Sequence, residues 1–186
     1  MRETDEELAE LQALLDRSIV SDNAHLVAIM TPERRLTAEQ MVRALDGMRV
    51  LVVATVTADG RPLTSCVDGH LIHGRWVFTT DATATKARHL AVRPAVSATH
   101  ARGDEFGVFT HGTAERLTPG HPDFAEVEDH LVAHYGSSPS SWAPDIAYLR
   151  ITPRWMLAYA ADPASLAGLR LARQGRGAAW AGPASG

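Results

Sequence analysis

Leu8, Leu11, Leu14, Leu15 and Ile19 recur at three- and four-residue spacing through residues 3–20, the period of an amphipathic helix. Glu3, Asp5, Glu6 and Glu7 crowd its amino end, where the helix dipole favours negative charge. A second helix is predicted from Thr37, because Thr37-Ala38-Glu39-Gln40 has the form of a capping box, through Met41, Val42 and Leu45 to a stop near Gly47. Residues 21–36, with Pro32 and several charges, join the two as a short helix or a loop.

From residue 48 the period shortens. Val50-Leu51-Val52-Val53-Ala54-Thr55-Val56 is β-branched and apolar on both faces and reads as a strand buried on two sides. Ala58-Asp59-Gly60-Arg61 supplies a hairpin turn, Pro62–His70 the return strand, and Arg75–Thr80 a third strand after a turn at Gly74. Residues 83–91 form a short helix that ends at Arg93-Pro94, since the residue before a proline is pushed out of the helical region. Ala95–Ala101 and Phe106–Leu117 are two further strands around the polar turn Arg102-Gly103-Asp104-Glu105. Residues 122–135 make a helix with Phe124, Val127, Leu131 and Val132 inward and a stop at Gly136. Ala147–Ala160 is a last strand, broken or bulged at Pro153 as on a sheet edge or bend. Six antiparallel strands with short helices between them predict an α+β fold with a closed or nearly closed barrel, which removes unpaired edges. The expected division is a helical extension over 1–47, the barrel domain over 48–162 and a Gly- and Ala-rich tail over 163–186.

At 186 residues, 45% hydrophobic and 22% charged, the chain has room for one core and excludes a second large catalytic domain. No apolar run is long enough to cross a bilayer, and the acidic start is unlike a signal peptide, so the expected compartment is the cytoplasm and no membrane partner is expected. One cysteine, Cys66, excludes an internal disulfide and a thiolate metal cluster, and reads as a small packing residue. A net charge of −4 argues against nucleic acid as a partner. Of the 18 basic side chains 17 are arginine, and the single lysine is Lys86.

That lysine sits in the stretch richest in chemistry. Thr79, Thr80, Thr83, Thr85 and Lys86 combine hydroxyls, an ammonium and the unpaired N–H groups of a helix start, which together suit a phosphate. On a regular helix Arg88 lies roughly 200° around from Lys86, while His89 shares its face, so Lys86 ranks first. Strand parity sets Thr64, Cys66 and Asp68 on one face and Leu63, Ser65 and Val67 on the other. His130 and His134 stand one helical turn apart, a metal-ligand spacing, but without an internal glutamate they read as a solvated helix face. His70, His73, His100 and His111 read as surface or hydrogen-bonded histidines, and Trp76, Trp142 and Trp155 as core or interface residues.

In serial order, Leu51 to Pro62, Trp76-Val77-Phe78-Thr79-Thr80, Lys86 to Leu90, Arg93 to Ser97, Gly112 to Leu117 and the closing Leu149 to Trp155 resemble the pyridoxamine 5′-phosphate oxidase-like family of FMN-binding split barrels, and the related flavin and deazaflavin oxidoreductases. The resemblance implies a six-stranded split barrel, a homodimer holding two flavin-type cofactors between its protomers, and a small-molecule substrate. It places Phe78, Thr79, Thr80, Thr85, Lys86 and the Thr64-Ser65-Cys66-Val67 stretch at the cofactor, with Trp155 near the partner's copy. Thr85 stands where the family's phosphate-binding pair has arginine, and the 64–68 stretch lacks the family's second basic contact. The substrate-binding signature of true pyridoxamine phosphate oxidases is not recognisable. FMN is the cofactor expected first, the deazaflavin F420 second and haem third, with hydride transfer to a small organic acceptor as the reaction; a non-enzymatic flavin or haem carrier is the rival.

Overall fold

The computed structural model describes residues 2–19 and 24–167. Within them the chain runs α1 (Asp5–Ile19), α2 (Ala24–Ile29), α3 (Ala38–Ala44), β1 (Met48–Val56), β2 (Pro62–Ile72), β3 (Arg75–Asp81), α4 (Thr85–Val92), β4 (Ala95–Arg102), β5 (Phe106–Leu117), α5 (Phe124–Tyr135) and β6 (Ile146–Ala160). All neighbouring strands are antiparallel, and the order β1-β2-β3-β6-β5-β4 closes through pairing of β1 with β4. The predicted α+β barrel is therefore the observed fold. The tail beyond residue 167 lies outside the described residues.

Local chemistry explains most boundaries. The capping box forms: Gln40 N–H donates to Thr37 Oγ1 at 3.1 Å, and Thr37 N–H donates to Gln40 Oε1 at 2.9 Å. Helix α5 stops where Gly136 takes φ 79°. The last strand is paired on both sides, contrary to an edge, yet Pro153 fits. Pairing with β3 ends at Ile151, and the register against β5 shifts between His111 and Gly112, so the missing N–H falls where one flank is already open. Gly112 has no freedom here, since a Cβ would stand 2.1 Å from the Thr152 carbonyl oxygen.

Strand alternation sends Leu51, Val53, Trp76, Phe78, Val108, Ile151 and Met156 into the barrel, where they share one cluster with Leu11, Leu14 and Leu15 of α1 and Met41 of α3. On the outside of β3 and β6, α5 buries Val127 and Leu131 against Ile72, Val77, Leu117 and Tyr148, each worth about 1.5–3 kcal/mol. Val132, expected inward, is only half-buried; the inner stripe of α5 runs Phe124, Val127, Leu131, Tyr135. A third cluster joins Ile19, Met30 and Leu157. The end of α1 is also tied to β6 by polar bonds: Trp155 Nε1–H donates to the Ser18 carbonyl at 2.9 Å and Met156 N–H to Ser18 Oγ at 3.0 Å.

The β2–β3 turn is a two-residue connection in which His73 (φ 50°) and Gly74 (φ 69°) are both left-handed, as a type I′ hairpin requires. Glycine adopts this freely; His73 does so between two carboxylates, with Nδ1 2.9 Å from Glu7 and Nε2 2.8 Å from Glu126. Partial burial opposes its charge, but the hydrogen bonds to Glu7 and Glu126 and their attraction prevail and raise its pKa above the ordinary 6.5. A raised folded value means that the clamp contributes fully below pH 6.5 and loses its contribution as pH rises through that higher value. On the acid side, slight burial of Glu7 is outweighed by hydrogen bonds from the Thr4 backbone and His73, so its pKa is depressed and its contribution disappears only as pH falls through that value. Thermal melts between pH 6 and 8 should show a loss of roughly 1–3 °C that His73→Asn abolishes.

Candidate functional site

Outward positions of five strands form one continuous wall. Cross-strand pairing lines up Thr64, Ala54, Ser97, His111 and Trp155 in one row, and Cys66, Val52, Thr99, Phe109 and Leu157 in the next. Asp68 pairs with Val50 at the following register step. The α5 roof covers the β3–β6 side, α1 and α2 cover part of β6, and the β2–β1–β4 portion is left open. Val50 is 51% and Val52 39% exposed, so β1 is not buried on two sides as its apolar run predicted; its outer face has no helix over it among the described residues. Small and β-branched side chains make this portion of the wall shallow and low in charge.

Parity on β2 is thereby settled. Thr64, Cys66 and Asp68 face outward and are exposed, whereas Val67 is buried in the barrel and Ser65 is half-buried. Cys66 is thus a wall residue and not the packing residue expected, because it alternates with Val67. Phe78 is fully buried beside Trp76, so of this residue only the main chain can meet a surface ligand; the same holds for Val67.

Thr79 and Thr80 lie near the end of β3, and Thr85 and Lys86 open α4, so these four form a corner carried by other elements than the wall. Ala84 occupies the N-cap without a side-chain bond, which leaves the first-turn N–H groups of Thr85, Lys86 and Ala87 without intrahelical acceptors. Lys86 is half-buried and makes no ion pair among the described residues. Thr83 is already engaged: its N–H and hydroxyl donate to Asp81 Oδ1 at 2.7 and 2.6 Å. An exposed carboxylate therefore stands at the edge of the predicted anion corner and holds two of its donors, a feature that the run of threonines concealed. His89 is committed to β1 through a 3.0 Å contact of Nδ1 with Thr55 Oγ1.

At the other end of the first row, His111 stacks on Trp155 with ring centroids 4.8 Å apart, and its Nδ1 lies 2.8 Å from Ser97 Oγ. Beyond the stack an apolar groove of about 410 Å³ opens between α2 and the barrel, lined by Met30, Phe109, Leu157 and Tyr159 among others. Sequence reasoning singled out Trp155 but not this groove, whose walls meet only through tertiary packing. His100 is buried, with Nδ1 2.9 Å from the Val50 carbonyl; burial is the main cause of its lowered pKa. His130 is not on a solvated face: it is half-buried and touches His70, which is 1% exposed. Among the described residues no group of three His, Cys, Asp or Glu side chains is placed to hold a metal ion. No helix there is long and apolar enough to cross a membrane.

Comparison with known proteins adds the following. A family model described as pyridoxamine 5′-phosphate oxidase matches residues 37–160. No curated protein matches the chain. Among solved structures, the conserved hypothetical protein Rv2991 of Mycobacterium tuberculosis is similar at a TM-score of 0.59 and 20% identity, over 75% of this chain and 92% of that one. The heme storage protein HutZ of Vibrio cholerae is similar at 0.55 and 19% identity, over 68% and 95% of the two chains. An FAD-binding protein of Mesorhizobium loti is similar at 0.53 and 18%, over 68% and 94%. At these identities the structural likeness speaks to the fold.

Proposed function

The chain belongs, over residues 37–160, to the pyridoxamine 5′-phosphate oxidase family, and from that premise we propose that it is a flavin-dependent oxidoreductase acting as a homodimer. The open wall carries the reading. Barrel strands shed β-branched residues into water only where something else covers them, and Val50 and Val52 lie uncovered in the centre of this wall. A second copy of the chain supplies that cover, and a planar cofactor fits between the two against Ala54, Thr64, Cys66 and Ser97, whose small side chains allow close approach.

The residues present suit FMN at both of its ends. The wall offers a flat surface for the ring, while Lys86 and the first-turn N–H groups of α4 offer charge and donors for one phosphate. Asp81 limits that corner to a monoanionic or tightly oriented phosphate, because its carboxylate repels further negative charge. When bound and reduced, the flavin supplies a hydride to a small organic acceptor. The protein's part is orientation, a water-poor surface and the management of protons. F420, with its longer anionic tail, asks for more cations than this corner shows.

The visible spectrum of the purified protein, which differs among flavin, deazaflavin, haem and no cofactor, tests the reading directly. Lys86→Ala should weaken FMN binding about tenfold, the loss of one charge-assisted contact, and leave the melting temperature unchanged, since Lys86 makes no ion pair among the described residues. Fluorescence titration of the apoprotein with FMN measures this, and an unchanged affinity removes Lys86 from the site.

A further inference from the structure

We propose that His130, His70, Tyr135 and Asp68 form a proton relay that runs from the surface of α5 to the open wall and delivers the proton that accompanies hydride addition to the acceptor. The proposal rests on the flavin reading above. Along β2, Thr64, Cys66, Asp68 and His70 point to the same outer side; the first three are exposed, and His70 is buried because the roof of α5 begins there. The relay therefore crosses the boundary between roof and wall. His130 Nε2 lies 2.9 Å from His70 Nδ1, His70 Nε2 lies 3.1 Å from Tyr135 Oη, and Tyr135 Oη lies 3.4 Å from Asp68 Oδ2.

The polarity of the chain follows from its last member. A carboxylate only accepts, so Tyr135 O–H donates to Asp68. The Tyr135 oxygen then accepts from His70 Nε2–H, which leaves His70 Nδ1 bare to accept from His130 Nε2–H. Every donor points toward the wall. Burial, and after it the proximity of the ionisable His130, His134 and Arg49, lowers the pKa of His70 to about 3. Burial and then Asp68 raise that of Tyr135. Both inner links are thus neutral at rest, and neither traps a charge. His130 is held neutral mainly by burial and then by Arg2 and His134, against the pull of Asp46 and Glu126. Exposed His134, with its ring 4.9 Å from that of His70, stands at the solvent end.

In the step itself, a proton taken up at His130 Nδ1 releases the Nε2 proton to His70 Nδ1. The His70 Nε2 proton passes to Tyr135, and the Tyr135 proton passes to Asp68 and on to the acceptor. The hydride brings two electrons and one proton from the reduced flavin and the relay brings the second proton, so an enone becomes a saturated ketone and the flavin is left oxidised.

The test uses the full chain and Tyr135→Phe, which removes one hydroxyl and keeps the ring packed against His134 and Trp142. With FMN or F420 bound and chemically reduced, single-turnover oxidation by the fastest member of an enone and nitroaromatic panel is followed in H2O and D2O. The variant should bind cofactor and acceptor as the wild type does, react about 10- to 100-fold more slowly, and show an altered solvent isotope effect, which a purely structural clamp would not produce. Equal rates and isotope effects overturn the relay and leave the flavin reading standing. A wild type that binds neither cofactor, or reduces no acceptor, overturns both. Independently of any cofactor, long-range 1H–15N spectra of 15N-histidine-labelled protein should show His70 and His130 as Nε2–H tautomers; an Nδ1–H tautomer at His70 breaks the relay outright.

Discussion

Val52→Arg is expected to yield a folded monomer that no longer retains cofactor. Val52 faces outward between Cys66 and Thr99 and is 39% exposed, so the isolated barrel accepts a longer side chain there without disturbing the buried Leu51 and Val53 that flank it. In a dimer joined through this wall the guanidinium of each copy would be taken out of water between the two barrels. An unpaired buried charge costs several kcal/mol, enough to weaken association by about 1,000-fold or more. Light scattering across a concentration series reads the mass, and an FMN titration of the same samples reads the site. Val92→Arg serves as control: Val92 is 72% exposed at the end of α4, off the wall, and should leave both unchanged. A dimer that survives Val52→Arg with its cofactor would place the interface elsewhere.

The largest loss of stability is expected from Trp76→Ala. Trp76 has no exposed surface, lies in the barrel cluster beside Leu51, and donates its indole N–H to Thr110 Oγ1 at 3.2 Å. Truncation leaves a cavity the size of the ring system and strips a buried hydroxyl of its donor. Large-to-small changes of this kind cost about 3–5 kcal/mol, a substantial part of the 5–15 kcal/mol that holds a typical domain. Urea unfolding should show the midpoint falling accordingly, with Trp76→Phe recovering most of the packing but not the hydrogen bond.

The fold was legible because its signals are local. The switch from helical to two-residue period at residue 48, the Asp59-Gly60 turn, the Thr37 capping box and the Pro94 and Gly136 stops each act within a few residues, and each is found where the pattern put it. The pairing of β3 with β6 and the closure of β1 on β4 carry no such local mark; the need to remove edges pointed to a closed barrel without its strand order. The candidate site was legible by residue type rather than by geometry. Parity separated Cys66 from Val67 without revealing which faced water, since that depends on which face of β2 the barrel closes around. Asp81, one residue past the predicted third strand, carried no signal, and its hold on Thr83 depends on the turn between β3 and α4. Tyr135 read as the last residue of a helix, and its partners Asp68 and His70 lie 67 and 65 residues earlier in the chain. The spacing of His130 and His134 was the one hint, and it read as a solvated helix face because a sequence does not display the buried ring of His70 packed against both.

The attachment of Ser18 to Trp155 and Met156 joins positions 137 and 138 residues apart. During synthesis α1 emerges long before β6, and the Ser18 hydroxyl and carbonyl wait for the residues between before they meet their partners. Long-range searches of this kind slow folding, so the last strand acts as the latch of the assembly reaction, and until it arrives the apolar stripe of the first helix is the surface most in need of a chaperone.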